Sequence, residues 1–310
     1  MSTNMKVASM GTDLPAPIVE QDGDSVILSF DDNSLQSRMR LDAPTTLDLD
    51  YSRVMMAFLL MQPQPESILM VGLGGGSLAK YCRRHLPQAR ITVVEINPAV
   101  IAVRDTFQVP PDDDRFSVVC GDGAEFVSRS ARGSYDVILV DGFGQQGEQP
   151  ETLCSLAFYK ACRAALRSSG VLVVNLQDQE PQASRLIGRI WQMFGEPVLP
   201  LEVPCGGNLV VLAADDPTFQ ACAGQVRRRW RELDPIHQET LGEILLGLEE
   251  ELKPWFKPQR PAKPVAKPAG TLETKTVAKS AVKPASQPAA RPGSKPGTKP
   301  AAKQARKSHP

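Results

Sequence analysis

The run Ile68-Leu69-Met70-Val71-Gly72-Leu73-Gly74-Gly75-Gly76-Ser77 constrains this chain more than any other stretch. Its apolar residues stop abruptly in glycines and pass into a helical pattern, which reads as a strand, a tight turn and a helix start. Glycines there supply positive φ and let backbone amides come close to a ligand, while the helix start adds a partial positive charge. The turn is therefore a nucleotide cradle. A sheet has to hold it.

From Ser67 onward strand and helix patterns alternate. Strands are expected over Ile68–Val71, Ile91–Glu95, Phe116–Cys120, Tyr135–Val140 and Val171–Leu176, all short, apolar and rich in β-branched residues. Helices are expected over Ser77–His85, Pro98–Thr106, Ala124–Arg129, Glu151–Arg167 and Gln182–Phe194. This alternation argues a mainly parallel sheet with helices on both faces. Pro197–Val203 and Asn208–Leu212 flank Pro204-Cys205-Gly206-Gly207, so the sheet closes with an antiparallel hairpin. A parallel core ended by such a hairpin is the α/β, Rossmann-like arrangement of class I methyltransferases rather than that of NAD-binding domains. Helices over Pro217–Arg231 and Pro235–Leu252 finish the body.

Before the sheet, Ile18–Glu20 and Ser25–Phe30 flank Asp22-Gly23, a hairpin signal. A third strand is expected over Ser37–Leu41, frayed chain over residues 1–16, and a helix capped by Asp48 or Asp50 and carrying Val54 to Leu60. The expected division is an N-terminal β-extension over 1–46, a nucleoside-binding catalytic domain over 47–252, and a tail over 253–310.

The formal net charge of zero hides a division. From Lys253 to Pro310 there are 14 Lys/Arg and one acid, Glu273, which gives +13; of 35 basic and 35 acidic residues in all, 21 and 34 remain for residues 1–252, which gives −13. The tail also holds eleven prolines, and it cannot bury enough surface to offset its ordering entropy, so disorder and weak contact with nucleic acid or other polyanions are expected. No apolar run reaches the roughly 18 residues of a membrane span, and no leader pattern opens the chain, so a cytoplasmic protein without membrane partners is expected. The six cysteines are scattered without a CxxC pair and read as reduced core residues. His85, His237 and His309 lie too far apart for a metal site, and none is expected.

In an open parallel sheet, ligands bind beyond the carboxyl ends of the strands. Those ends hold the Gly72 to Gly76 loop, Glu95, Gly121-Asp122-Gly123 and Asp141. Gly72 and Gly74 shape the cradle. Glu95 follows Gly72 by 23 residues, the distance at which an acid accepts from both ribose hydroxyls. Asp122 is placed to accept from an adenine amino group, with Gly123 leaving room for the ring. Together they point to an adenosyl ligand. Its kind stays open, because Ser77 replaces the third glycine of a dinucleotide fingerprint and Met70 stands where an S-adenosylmethionine-dependent methyltransferase usually carries an acid.

Residues 47 to 177 resemble the spermidine synthase family of aminopropyltransferases. The matching segments are Ile68 to Gly76, Val93-Val94-Glu95-Ile96-Asn97-Pro98, Gly121-Asp122-Gly123-Ala124-Glu125-Phe126, Tyr135-Asp136-Val137-Ile138-Leu139-Val140-Asp141, Phe158-Tyr159 and Gly170-Val171-Leu172-Val173. The resemblance implies decarboxylated S-adenosylmethionine as co-substrate, no tightly bound cofactor, an amine acceptor and polyamine biosynthesis. It gives Glu95 the ribose, Asp122 and Gly123 the adenine, and Asp141 the role of the catalytic carboxylate that orients or deprotonates the amine. The family's N-terminal domain often helps build the oligomer, so a homodimer is expected. Gly75 and Gly144 stand where the family carries acids, Glu148 is the one stand-in acid in the loop after Asp141, and Tyr51-Ser52 stands where the family has Tyr-Gln or Tyr-His. The alternatives are a methyltransferase using S-adenosylmethionine, and a nucleoside-binding module whose basic tail works on nucleic acid.

Overall fold

The computed structural model of the protein describes residues 14–31, 35–144, 148–179, 181–195 and 197–255. The chain divides after Gln259 into two units, and every described residue lies in the first. Of the start expected to be frayed over residues 1–16, residues 1–13 lie outside the described residues, whereas the Pro15 oxygen accepts from Asn97 Nδ2 at 2.9 Å; of the tail expected to be disordered over 253–310, Lys253–Trp255 form a 3-10 turn and the rest lies outside the described residues.

Asp22-Gly23 turns the chain as its type predicts, with Gly23 at φ 55° between β1 (Ile18–Asp22) and β2 (Ser25–Ser29). β3 (Leu35–Arg40) adds antiparallel to β2, and Val26, Leu28, Ser37 and Met39 turn inward from this small sheet. α1 (Asp50–Met55) continues into a 3-10 turn over Met56–Leu60, and every side chain from Val54 to Leu60 is buried. Neither expected acid caps α1. Its N-cap is Leu49, because Asp48 pairs with Arg38 and Asp50 with Arg53. A guanidinium offers a carboxylate a charge-assisted bond that a backbone amide does not match.

The main body follows the alternation read from the sequence. Its elements are β4 (Ser67–Val71), α2 (Ser77–His85), β5 (Arg90–Glu95), α3 (Pro98–Ala102), β6 (Phe116–Cys120), α4 (Gly123–Arg129), β7 (Tyr135–Val140), α5 (Glu151–Cys154), α6 (Leu156–Ala165), β8 (Leu166–Gln177), α7 (Gln182–Phe194), β9 (Val198–Glu202) and β10 (Asn208–Ala213). They are followed by α8 (Asp216–Cys222), α9 (Val226–Glu232), α10 (Pro235–Gly242) and α11 (Leu245–Leu252). The seven-stranded sheet has the order β6-β5-β4-β7-β8-β10-β9. Neighbours from β6 to β8 are parallel, whereas β10 enters antiparallel between β8 and β9. The expected terminal hairpin is therefore present, with its second strand next to the parallel core.

Alternate residues of each central strand go to opposite faces. Ile68, Met70, Val137, Leu139, Val171 and Val173 enter one apolar layer, and Leu69, Val71, Ile138, Val140, Leu172 and Val174 enter the other. Each such side chain contributes about 1.5–3 kcal/mol through burial. The amino ends of the strands are pinned separately: Asp136 Oδ2 accepts from the backbone amides of Glu66 at 2.9 Å and Ser67 at 3.0 Å, and from Arg167 at 2.8 Å. That leaves the carboxyl ends as the edge where a site can open.

Several element bounds differ from expectation for local reasons. The Glu151–Arg167 helix breaks at Ser155, whose hydroxyl accepts from the Phe158 amide and starts α6, while Leu166 and Arg167 join β8. The Pro217–Arg231 helix breaks at Gly224, which has φ 77°. The Pro235–Leu252 helix divides between Gly242 and Leu245, and α3 stops at Ala102 rather than Thr106. All six cysteines are free, but Cys120 and Cys205 are exposed, which corrects their reading as core residues. Among the described residues no helix is long and apolar enough to cross a membrane.

Candidate active site

At the carboxyl ends of the sheet lies a cavity of about 380 Å³. Gly72, Gly74, Glu95, Asp122, Gly123 and Asp141 all line it, so the fold brings together every residue that the sequence placed at the site.

Gly72 continues β4 between its two neighbours. Its amide donates to Val94 O at 2.8 Å, and the Asp141 amide donates to Val71 O at 2.9 Å. A Cβ on Gly72 would overlap the main-chain oxygen of Asp141, and φ at Gly72 is 100°, so only glycine lets the strand ends close this tightly. Gly123 has a different reason: its Cβ would overlap Val71 Cγ1, which packs directly under the start of α4.

Glu95 is buried and fastens the cradle to β5. Its Oε2 accepts from the Leu73 amide and its Oε1 from the Asn97 amide, each at 2.8 Å. Burial pushes its pKa up, and these backbone donors hold it down in part. Two carboxylate oxygens carry about four acceptor sites; the Leu73 and Asn97 amides take two, and the Ile96 and Gly74 amides also act on the same carboxylate. Asp122 divides its roles: Oδ1 caps α4 by accepting from the Glu125 amide at 2.9 Å, while the residue also lines the cavity.

Asp141 is enclosed by protein yet keeps some surface toward the cavity. Desolvation raises its pKa, and hydrogen bonds from Asn175 and Tyr51 counter the rise. Asn175 Nδ2 donates to Asp141 Oδ1 at 2.8 Å, and Asn175 Oδ1 accepts from Asn208 Nδ2 at 3.0 Å. The chain Asn208, Asn175, Asp141 fixes which oxygen is held and how the carboxylate is turned. Burial and the neighbouring Asp141 charge keep the Tyr51 hydroxyl well above its ordinary pKa, so it stays a neutral donor.

Reading strand ends alone misses Asn175 and Asn208 and does not give Tyr51 its role. Asn175 carried a usable signal, as the lone polar residue in the apolar run from Val171 to Leu176, and it is almost wholly buried. Tyr51 and Asn208 reach the cavity from α1 and from the terminal hairpin, and sequence spacing does not show that approach.

The spermine/spermidine synthase domain matches residues 49–189. The polyamine aminopropyltransferase of Chromobacterium violaceum is 37% identical over 239 residues, covering 76% of this chain and 90% of that protein. That of Neisseria meningitidis serogroup B is 36% identical over 234 residues, covering 74% and 88%. The chain belongs to the spermine/spermidine synthase family. A probable spermidine synthase from Corynebacterium glutamicum shares the fold with a TM-score of 0.57 at 17% identity, covering 83% of this chain and all of that one. A spermidine synthase in complex with the transition state analogue AdoDATO has a TM-score of 0.52 at 21% identity, covering 74% and 88%.

Within this spermine/spermidine synthase relative, the two glycines that replace acids have structural explanations. A Cβ on Gly75 would stand 2.7 Å from Ser37 Oγ and 2.8 Å from the Phe107 ring, so β3 fills the volume that an acid would need. A Cβ on Gly144 would fall inside the Glu148 carboxylate. An acid at 144 is thus replaced in space by one four residues later, folded back over the Gly144 that lines the cavity.

Proposed function

We propose that the protein transfers an aminopropyl group from decarboxylated S-adenosylmethionine to a primary amine, releasing 5′-methylthioadenosine, as a step of polyamine biosynthesis. One observation carries the reading: the charged groups lining the cavity, among the described residues, are Glu95, Asp122 and Asp141, with no Lys or Arg. A sulfonium and an ammonium both gain from such walls. The pyrophosphate of a dinucleotide, and the carboxylate of intact S-adenosylmethionine, meet only like charge there.

Glu95 accepts from the ribose hydroxyls, Asp122 from the adenine amino group, and Gly72, Gly74 and Gly123 let backbone and ring come close. Asp141 takes a proton from the acceptor ammonium. The freed nitrogen pair then forms a C–N bond at the carbon attached to sulfur, the C–S bond breaks with its pair going to sulfur, and a neutral thioether leaves. A carboxylate whose pKa is raised by burial suits the proton transfer. Glu148, over Gly144, faces the acceptor's distal charge. A homodimer, a cytoplasmic location and contact of the basic tail with polyanions belong to the same reading, supported by the family and by the charge division of the sequence.

Incubating purified protein with decarboxylated S-adenosylmethionine and a panel of diamines and monoamines tests this. The expected result is 5′-methylthioadenosine in step with a new secondary amine. No thioether with any amine would overturn it, and S-adenosylhomocysteine from the intact donor would assign methyl transfer instead.

A further inference from the structure

A second depression shares no wall residue with the acidic cavity and has the opposite charge. Lys80, Arg83 and Arg84 of α2 meet Arg115 across it, with Thr45 and Gln108 on the wall, and no Asp or Glu lines it among the described residues. On a body carrying −13 over residues 1–252, solubility does not call for four cations in one place.

Part of this charge holds the fold. Lys80 is 2% exposed and its Nζ donates to Phe107 O at 2.8 Å; Arg83 pairs with Asp113; Arg115 Nη1 donates to Ala89 O at 3.1 Å. Arg83 and Arg84 also complement the negative end of α2. These contacts leave donors over. An ammonium has three and a guanidinium five. The buried Nε of Arg83 has no partner, and the Arg84 guanidinium has neither hydrogen bond nor ion pair among the described residues. Burial meanwhile pulls the Lys80 ammonium down to about 8, and no neighbouring carboxylate holds it up.

We propose that this depression binds a multiply charged phosphate anion, held by Arg84 and Arg115 from outside and by the spare donors of Lys80 and Arg83 from within. Guanidinium forks match phosphate oxygens in pairs, and the neutral Thr45 and Gln108 add hydrogen-bonding groups without repelling charge.

Calorimetric titration of the full chain with inorganic pyrophosphate tests it, since that anion has no nucleoside to enter the acidic cavity. Saturable binding that weakens with added salt is expected. Arg84→Glu, on the exposed end of α2, should lower affinity about tenfold or more, as expected for loss of a charge-assisted contact, while lowering the melting temperature only by the small amount that reversing one charge at the helix end entails. Titration near pH 8 in buffers of different ionisation enthalpy should show proton uptake that Lys80→Met abolishes. Absence of saturable binding at millimolar pyrophosphate, unchanged affinity in Arg84→Glu, or sulfate binding as tightly as pyrophosphate would each overturn the proposal.

Discussion

In the role proposed for it, Asp141 would serve chemistry at a cost to stability. Its folded pKa lies above the ordinary carboxylate value because it is desolvated, so its contribution to stability is fully present below the unfolded pKa and is lost as pH rises through the folded one. Asp141→Asn, which is neutral at every pH, should therefore melt higher than the wild type near pH 7, with the gain shrinking as pH falls. Turnover should fall about 10²–10⁴-fold, the usual worth of a proton-transferring group, while adenosyl affinity stays nearly constant. Thioether release and thermal melting check the two halves. Asn175→Ala removes a donor that holds the Asp141 pKa down, so the acid limb of the pH–rate profile should move to higher pH. A purely structural asparagine would leave that midpoint in place. Asp141, Glu95 and Asp122 were legible in the sequence because a parallel sheet fixes where its strand ends go. Asn175 needed the further fact that its side chain turns to the cavity edge rather than into a helix layer.

At the scale of elements, the cradle depends on close approaches between β4, β7 and the start of α4. Gly123→Ala would drive its methyl into Val71 Cγ1, and overpacking of this kind costs about 1–3 kcal/mol. Val71→Ala vacates that space, so the double variant should be destabilised by clearly less than the sum of the single changes. Urea unfolding of all four proteins measures the coupling, and strict additivity would show that the contact does not carry the strain. The order of strands and helices was legible because short β-branched runs and helical patterns alternate between Ser67 and Phe194. Helix ends were less so. Ser155, read as an interior helix residue, caps a new helix instead, and Asp48 and Asp50, read as caps, are taken by Arg38 and Arg53. In each case a long-range or local side-chain partner outweighs propensity. The Ser37 contact that excludes an acid at Gly75 joins the N-terminal sheet to the cradle, and no local pattern announces it.

For the whole molecule the governing quantity is the division of charge. A body at −13 and a tail at +13 make a neutral chain, so the attraction for polyanions proposed for the tail would compete with the attraction between opposite charges of the same chain. Both are screened by salt, with a Debye length of about 10 Å at 0.1 M. Removing residues 256–310 leaves 22 basic and 34 acidic residues, because Lys253 stays, and gives a chain of −12. That protein should lose retention on a polyanionic resin at low salt and keep its aminopropyl transfer, since among the described residues every one that lines the acidic cavity precedes Leu209. The two readouts separate the functions. Retention that survives truncation would assign polyanion binding to the basic depression around Lys80 and Arg115, whereas transfer lost on truncation would show that the tail acts on the cavity itself. The expected pattern, retention lost and transfer kept, leaves the acidic cavity for cations, the tail for extended polyanions and the basic depression for small phosphate anions. A polyanion is disfavoured in that cavity, because it would have to leave water beside three acids, Glu95, Asp122 and Asp141.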